Sequence, residues 1–221
     1  ASAYVKDQLI KMRVPAWLPE VEKHRLVSEM EQMIEKKLQR NPNAFMSIKE
    51  PHFYEGQDIS VLGSHFKIRI KEDLGSSRSR AYLKDGEVVV VLAQGISGKF
   101  REHTVSVLCR GIIAKAVMPS LAEKVEFLNR THFNFDLGKV SIRQASSRWG
   151  SCNAKTKRIN LNFLLLFAPE RVLDYVIIHE LAHLKESNHS KAFWALVQSA
   201  MPDYKEVRTW LRRNGSSIGP V

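Results

Sequence analysis

The sequence predicts an α+β fold, with a short β-rich region followed by several helices. Between residues 59 and 93, apolar and charged residues alternate with a period of two, which is typical of strands that bury one face. From Lys99 to Arg130, and again from Ala168 to Leu184, the apolar residues follow helical spacing instead. With 221 residues, of which 44% are hydrophobic, the chain can bury a sizeable core in one or two domains.

The first predicted element is an amphipathic helix from Pro19 to about Arg40, which Asn41-Pro42-Asn43 closes. Its apolar face consists of Leu26, Val27, Met30, Met33, Ile34 and Leu38. Four short strands follow, at Ile59–Leu62, His65–Lys71, Ser79–Leu83 and Glu87–Ala93. Gly63-Ser64 joins the first two strands, and Asp85-Gly86 is a hairpin turn between the last two.

A long helix is predicted from Lys99 to Arg130, and Pro119 is expected to kink or divide it. Val140–Gln144 and Arg158–Phe163 are predicted to pair as antiparallel strands around a Trp-Gly-Ser-Cys loop. The apolar helix after Pro169 comes next, followed by two helices at Lys191–Ala200 and Asp203–Arg213.

We divide the chain into three parts on this basis. Residues 1–43 form an N-terminal helical extension, residues 44–98 a small β-rich subdomain, and residues 99–221 a larger, mainly helical domain. The boundary at residue 43 rests on the Asn-Pro-Asn sequence, which ends a helix and starts a turn.

The functional hypothesis depends on the run His179-Glu180-Leu181-Ala182-His183 within the apolar helix. Residues four apart in a helix lie on one face, so both imidazoles can bind one zinc ion. Glu180 flanks that face, where it can act as general base toward a metal-activated water without binding the metal. The structural alternative is a pair of hydrogen-bonded core histidines matching the motif by chance.

A catalytic zinc site needs a third protein ligand and an open position for water. His189 follows His183 after five residues, and we expect the chain to turn back at Asn188, with Ser187 or Ser190 capping the next helix. Glu186 is the alternative third ligand, and we favour His189. The predicted cofactor is therefore one Zn²⁺ per chain, held by His179, His183 and His189.

Several short motifs accompany the histidines in a fixed order. They are Arg148-Trp149-Gly150-Ser151-Cys152, Ile159-Asn160-Leu161-Asn162, Ala168-Pro169, the His-Glu-Leu-Ala-His run, Asn188-His189-Ser190 and Phe193-Trp194. In this order the chain resembles the YgjP-like metallopeptidase family, a minimal zincin group related to the SprT-like and WLM proteases. The resemblance is strongest from about Val140 to Gly215. It implies a zincin-like core in which the three histidines bind zinc and Glu180 is the general base.

The segment Arg148–Cys152 is a candidate for substrate binding. In zincins a strand beside the active-site helix offers its edge to an extended substrate, which binds through main-chain hydrogen bonds. Arg148 and Tyr204 are candidate contacts to the substrate or transition state, where a cation or hydroxyl stabilises the developing oxyanion. Trp149, with Gly150 permitting a tight turn, either packs under the metal site or belongs to the core.

Three other residues of this region are considered in relation to the metal site. Asn160 or Asn162 is a candidate to orient a metal-binding imidazole through a hydrogen bond to the ring nitrogen that does not bind the metal. Cys152 is either a fourth, latent metal ligand or a small buried residue, and burial is the preferred interpretation.

Charge and composition limit the partners and the compartment. The chain has 34 basic and 23 acidic residues, giving a formal net charge of +11, which favours anionic partners such as non-specifically bound nucleic acid. A generic solvated basic surface is the alternative. Two distant cysteines give no disulfide framework, and the N-terminal residues lack a hydrophobic signal core, so we expect a cytoplasmic protein. We also expect no membrane-spanning stretch.

These observations leave three function classes. The leading hypothesis is a zinc metallopeptidase that hydrolyses polypeptides by metal-activated water. A metal-dependent hydrolase of a non-peptide substrate, such as a nucleotide, is the second, because activated water also attacks phosphorus. The third is a nucleic-acid-binding module whose metal site is structural, or else a protease that acts in association with DNA. Glu180 disfavours a structural site, which has no need of a base.

Overall fold

The protein is described here from a computed structural model, which covers residues 2–6, 9–40, 48 and 50–220. These residues contain five α-helices, namely α1 (Glu20–Arg40), α2 (Gly98–His132), α3 (Glu170–Ala182), α4 (Lys191–Ala200) and α5 (Tyr204–Asn214). Their strands are β1 (Ser2–Lys6), β2 (Leu9–Arg13), β3 (Asp58–Val61), β4 (Ser64–Asp73), β5 (Arg80–Lys84), β6 (Glu87–Ala93), β7 (Val140–Arg143), β8 (Gly150–Asn153) and β9 (Arg158–Asn162). This arrangement confirms the predicted α+β class.

The β-rich region forms a four-stranded sheet in the order β3-β4-β6-β5. Both hairpins of this sheet turn through residues with positive φ, which two-residue turns of this kind require. Asp85 and Gly86 have φ of 50° and 78°, as predicted from the sequence. The first hairpin turns at Leu62-Gly63, with φ of 47° and 75°, one residue earlier than expected. β4 and β6 pair in parallel, although each also has an antiparallel neighbour.

Helix α2 is the central element of the fold and continues through Pro119 without a division. One stripe of it is fully buried at Cys109, Ile113, Val117, Leu121 and Val125. This stripe belongs to a hydrophobic core shared with β3, β4 and β6 on one side and with α3 to α5 on the other.

The expectation that no stretch is long and apolar enough to span a membrane is wrong for α2. By length and apolar composition alone, Gly98–His132 would suffice to cross a bilayer, and it is the only such helix in the described part of the chain. A core helix meets the same test, because a buried stripe and a lipid-facing surface have similar composition.

The second sheet differs from the sequence prediction. Val140–Arg143 and Arg158–Asn162 pair in parallel, not antiparallel, with Val140 opposite Ile159. The Trp-Gly-Ser-Cys segment is not all loop, because Gly150–Asn153 forms β8, which pairs antiparallel with β9. The sheet order β7-β9-β8 therefore places β8 at an edge. The sequence did not reveal β8, because it has only four residues and lacks an alternating apolar pattern.

The N-terminal part contains a hairpin, β1–β2, that was not predicted from the sequence. Helix α1 matches the predicted helix, with Met30 buried and Met33 exposed. Its predicted closing sequence, Asn41-Pro42-Asn43, lies outside the described residues. The three-part division of the chain stays a prediction.

Candidate metal centre

Three histidines converge where α3 ends. His179 lies in the last turn of α3, His183 caps the helix, and His189 precedes α4. One potential ligand atom from each lies within 4.8 Å of the other two. The Nε2 atoms of His179 and His189 are 3.0 Å apart. Thus the side chains that the sequence singled out as ligands do come together, and their role as ligands is a prediction.

The return of the chain from α3 to His189 uses a different conformation from the one expected. Asn188 is not in the left-handed region. Its side-chain oxygen instead accepts a hydrogen bond from the backbone N–H of Ser190, at 3.2 Å. Of the two serines predicted as possible caps of α4, Ser190 is the cap, since its hydroxyl accepts from the N–H of Phe193 at 3.2 Å.

Packing and hydrogen bonding orient the imidazoles. Nδ1 of His183 donates to the backbone carbonyl of Glu186 at 2.9 Å, which leaves its Nε2 free to bind a metal. Phe193 is fully buried beneath the cluster. Its ring centroid lies 4.9, 4.5 and 4.8 Å from those of His179, His183 and His189. The side chain of Glu186, the alternative ligand, is not part of the converging group.

The electrostatics of the cluster suit a cation. Burial, together with the neighbouring His183 and His189, lowers the pKa of His179 to about 3. Burial and His183 also lower the pKa of His189. A neutral imidazole has a nitrogen lone pair that can bind a metal. The Nε2 atoms of His179 and His189 face each other directly. A tetrahedral zinc site with Zn–N bonds of about 2.0–2.1 Å spaces its ligand nitrogens about 3.3 Å apart. The Nε2 atoms of His179 and His189 lie near this spacing, and a ligand atom of His183 lies within 4.8 Å of theirs, so this set of three imidazole donors suits such an ion.

Glu180 is buried beside the histidines, with 5% of its surface exposed. Burial raises the pKa of its carboxyl to about 8, and the positive charge of Arg148 opposes this rise. The backbone of Gly150 in β8 lies directly against it: a Cβ at this position would lie 2.5 Å from Oε1 of Glu180. Gly150 does not have a positive φ, so its expected role in a tight turn is wrong. What this position requires is the absence of a side chain.

The candidate substrate contacts differ in position. Arg148 is exposed and lies close enough to Glu180 to affect its pKa. Tyr204 is buried at the start of α5, where its ring stacks on Trp194 with centroids 5.3 Å apart. Trp149 is half-buried and packs against the hydrophobic core and Gly215.

Asn160 and Asn162 form hydrogen bonds with residues other than the histidines. The amide of Asn160 donates to the hydroxyl of Ser151 and accepts from that of Ser141, which links the three strands. Asn162 donates to the carbonyls of Ala145 and Arg148. Both residues therefore hold the sheet and its loop in place, and the expected contact with an imidazole is wrong.

Cys152 is half-buried in β8 and is not part of the converging group of ligand atoms. Burial, with a contribution from Glu180, raises the pKa of its thiol to about 11, so the thiol stays protonated at neutral pH. This agrees with the preferred interpretation of a small packing residue.

Two residues near the centre were not singled out from the sequence as site residues. Tyr175 lies one helical turn before His179, with ring centroids 5.9 Å apart. Arg208 on α5 has its guanidinium carbon 4.6 Å from the centroid of Trp194, and its charge contributes to the lowered pKa of His179. The spacing of Arg208 four residues after Tyr204 places both on one face of α5 and was the available signal.

A buried carboxylate beside three converging imidazoles is typical of a metal-dependent hydrolase. The YgjP-like metallopeptidase domain model matches residues 1–214 of the chain. The protein therefore belongs to the YgjP-like metallopeptidase family, whose members are expected to bind a metal.

Comparison with individual proteins gives partial matches. A UTP pyrophosphatase of Escherichia coli (strain K12) is 33% identical over 92 residues, covering 40% of this chain and 54% of the relative. The chain thus spans about half the length of this curated relative. Among solved structures, the metallopeptidase zymogen of Pyrococcus abyssi abylysin is 28% identical, with a TM-score of 0.41, covering 46% of this chain and 99% of that one. The zymogen of Methanocaldococcus jannaschii jannalysin is 23% identical, with a TM-score of 0.37, covering 41% and 92%.

Proposed function

We propose that the protein is a zinc-dependent metallopeptidase that uses Glu180 as its general base. The observation that carries this proposal is the convergence of His179, His183 and His189 next to the buried carboxylate. A zinc ion held there would activate water and polarise the substrate carbonyl. Membership of the metallopeptidase family supports peptide hydrolysis as the reaction.

The residues of the chain have separate tasks in this proposal. Glu180 accepts a proton from the attacking water and delivers it to the leaving amine. The free edge of β8 binds the backbone of an extended substrate beside Glu180, since α3 and β8 are in contact. The positive charge of Arg148 stabilises the oxyanion that develops during attack.

The test of this proposal is Glu180→Gln, assayed on a fluorescently labelled unfolded polypeptide. The amide cannot accept the proton, so we expect turnover to fall by at least about 100-fold while zinc content and melting temperature are retained. Turnover at the wild-type rate would exclude Glu180 as the base. A variant that also loses zinc would point to a ligand role instead.

A second candidate is metal-dependent hydrolysis of a nucleotide. The similarity to a UTP pyrophosphatase supports this candidate, and so does a cavity lined by Lys205, Arg208 and Arg212 and by Tyr175, whose ring contacts His179. The same pair of proteins, wild type and Glu180→Gln, incubated with UTP and assayed for pyrophosphate release, tests it. Release by the wild type without cleavage of any polypeptide would favour the nucleotide over the peptide.

A further inference from the structure

A cavity of about 520 Å³ lies between α3, α5 and the segment before β8. Its lining combines aromatic side chains, contributed by Trp149, Tyr175 and Tyr204, with the basic side chains of Lys205, Arg208 and Arg212. The volume is within the usual range for small-molecule and substrate sites, which begins at about 300 Å³.

The cavity adjoins the metal centre through one chain of stacked rings. The ring of Trp194 stacks on His189, with centroids 5.6 Å apart, and on Tyr204, which lines the cavity. Arg208 lies over the same Trp194 ring. On the other side, Tyr175 contacts His179 and faces the cavity. The rings of Trp194 and Tyr175 therefore lie between the cavity and the histidines, and a substrate long enough to pass them could occupy both places.

The basic residues of the cavity have no acidic partner in the described part of the chain. Lys205, Arg208 and Arg212 are spaced three and four residues apart on α5, so they share one face of the helix. The nearby acidic residue at the start of α5, Asp203, already pairs with Arg171 of α3. Three unpaired cations in a concave site attract and hold anions more strongly than dispersed surface charges do.

We propose that this cavity is a substrate subsite for an oxyanion, a carboxylate or a phosphate, bound by Arg208 and Arg212 with Lys205 at the rim. A guanidinium donates two parallel hydrogen bonds to either group, whereas it has no such match with a neutral amide. Stacking on Trp194 holds Arg208 in place, so less side-chain entropy is lost when it binds the anion. The proposal rests on the proposed function in that it takes the metal centre as the place of hydrolysis.

The direct test measures anion binding without turnover. Zinc-loaded Glu180→Gln protein is titrated with inorganic phosphate and, separately, with the N-methylamides of N-acetylglutamate and N-acetylglutamine, which differ only in the side-chain carboxylate, using the fluorescence of the tryptophans around the cavity. In an Arg208→Gln/Arg212→Gln background, affinity for the binding anion should fall at least tenfold. Arg78→Gln removes one positive charge from an exposed site between β4 and β5, outside the cavity, and should leave affinity unchanged.

The results separate this inference from the proposed function. Equal anion affinity with and without the two arginines would overturn the subsite, whether or not the protein cleaves peptides. Tight binding of phosphate alone would identify a phosphate-bearing substrate, and preference for the acetylglutamate methylamide over the acetylglutamine methylamide would identify an acidic peptide. For an active peptidase, the ratio of kcat/KM for a glutamate peptide to that for its glutamine counterpart should fall at least tenfold in the double variant. Zinc content is measured in each variant.

Discussion

Replacing Gly150 by alanine tests whether this position leaves the space that Glu180 occupies. Gly150 lies in β8 without a positive φ, so alanine can adopt its backbone conformation. The added Cβ would lie 2.5 Å from Oε1, 2.7 Å from Cγ and 2.8 Å from Cδ of Glu180. Non-bonded carbon atoms prefer separations of about 3.5–4.0 Å, so the carboxylate would have to withdraw by about 1 Å.

The size of the effect follows from this displacement. A misplacement of about 1 Å in a catalytic group costs on the order of 100-fold in rate, so we expect kcat to fall by roughly that factor. Overpacking of the buried contact costs about 1–3 kcal/mol of the free energy of unfolding. In a protein of this size, that corresponds to a fall in Tm of roughly 2–12 °C. Zinc should be retained, because the histidines are not displaced.

The assay compares kcat, KM, zinc content and Tm of Gly150→Ala with those of Gly111→Ala. Gly111 lies exposed in α2 with nothing within 4 Å of an added Cβ, so alanine there should leave activity unchanged and stabilise the helix by about 0.5–1 kcal/mol. A second comparison adds Gly150→Ala to Glu180→Gln. If Gly150 acts only through Glu180, the double variant should be no less active than Glu180→Gln alone.

Two results would refute this reasoning. Wild-type kcat in Gly150→Ala would mean that the carboxylate position does not limit the reaction. A further loss of residual activity in the double variant would mean that Gly150 acts on something other than Glu180, such as the edge of β8 that is proposed to bind the substrate.

Two further predictions concern the metal ligands and the positive charge. His189→Ala should strongly reduce zinc content measured by metal analysis, whereas Glu186→Ala should not, because the backbone carbonyl of Glu186 rather than its side chain orients His183; the opposite pattern would show that the third ligand is misassigned. If the net charge of +11 recruits nucleic acid, binding of labelled DNA should weaken steeply with salt and depend little on base sequence. Charge reversal of Lys155, Lys157 and Arg158 at the β8–β9 hairpin should weaken DNA binding while peptide cleavage is retained, and no binding at low salt would contradict the prediction.

The sequence predicted those parts of the fold and site that depend on local spacing. The strand Glu87–Ala93 and the turn at Asp85-Gly86 follow from alternation and from residues that tolerate positive φ. The placement of His179 and His183 on one face follows from helix geometry. Ser190 as the cap of α4 likewise depends only on its nearest neighbours along the chain.

The tertiary structure decided what depends on elements far apart in the sequence. The parallel pairing of β7 with β9 could not be read from their apolar patterns, because a short buried strand has the same pattern in either direction. The contact between Gly150 and Glu180 joins residues thirty positions apart across β8 and α3. Arg208 reaches the metal centre only because α5 packs on α3. Local spacing determines which side chains share a face, whereas packing between elements determines what each face meets.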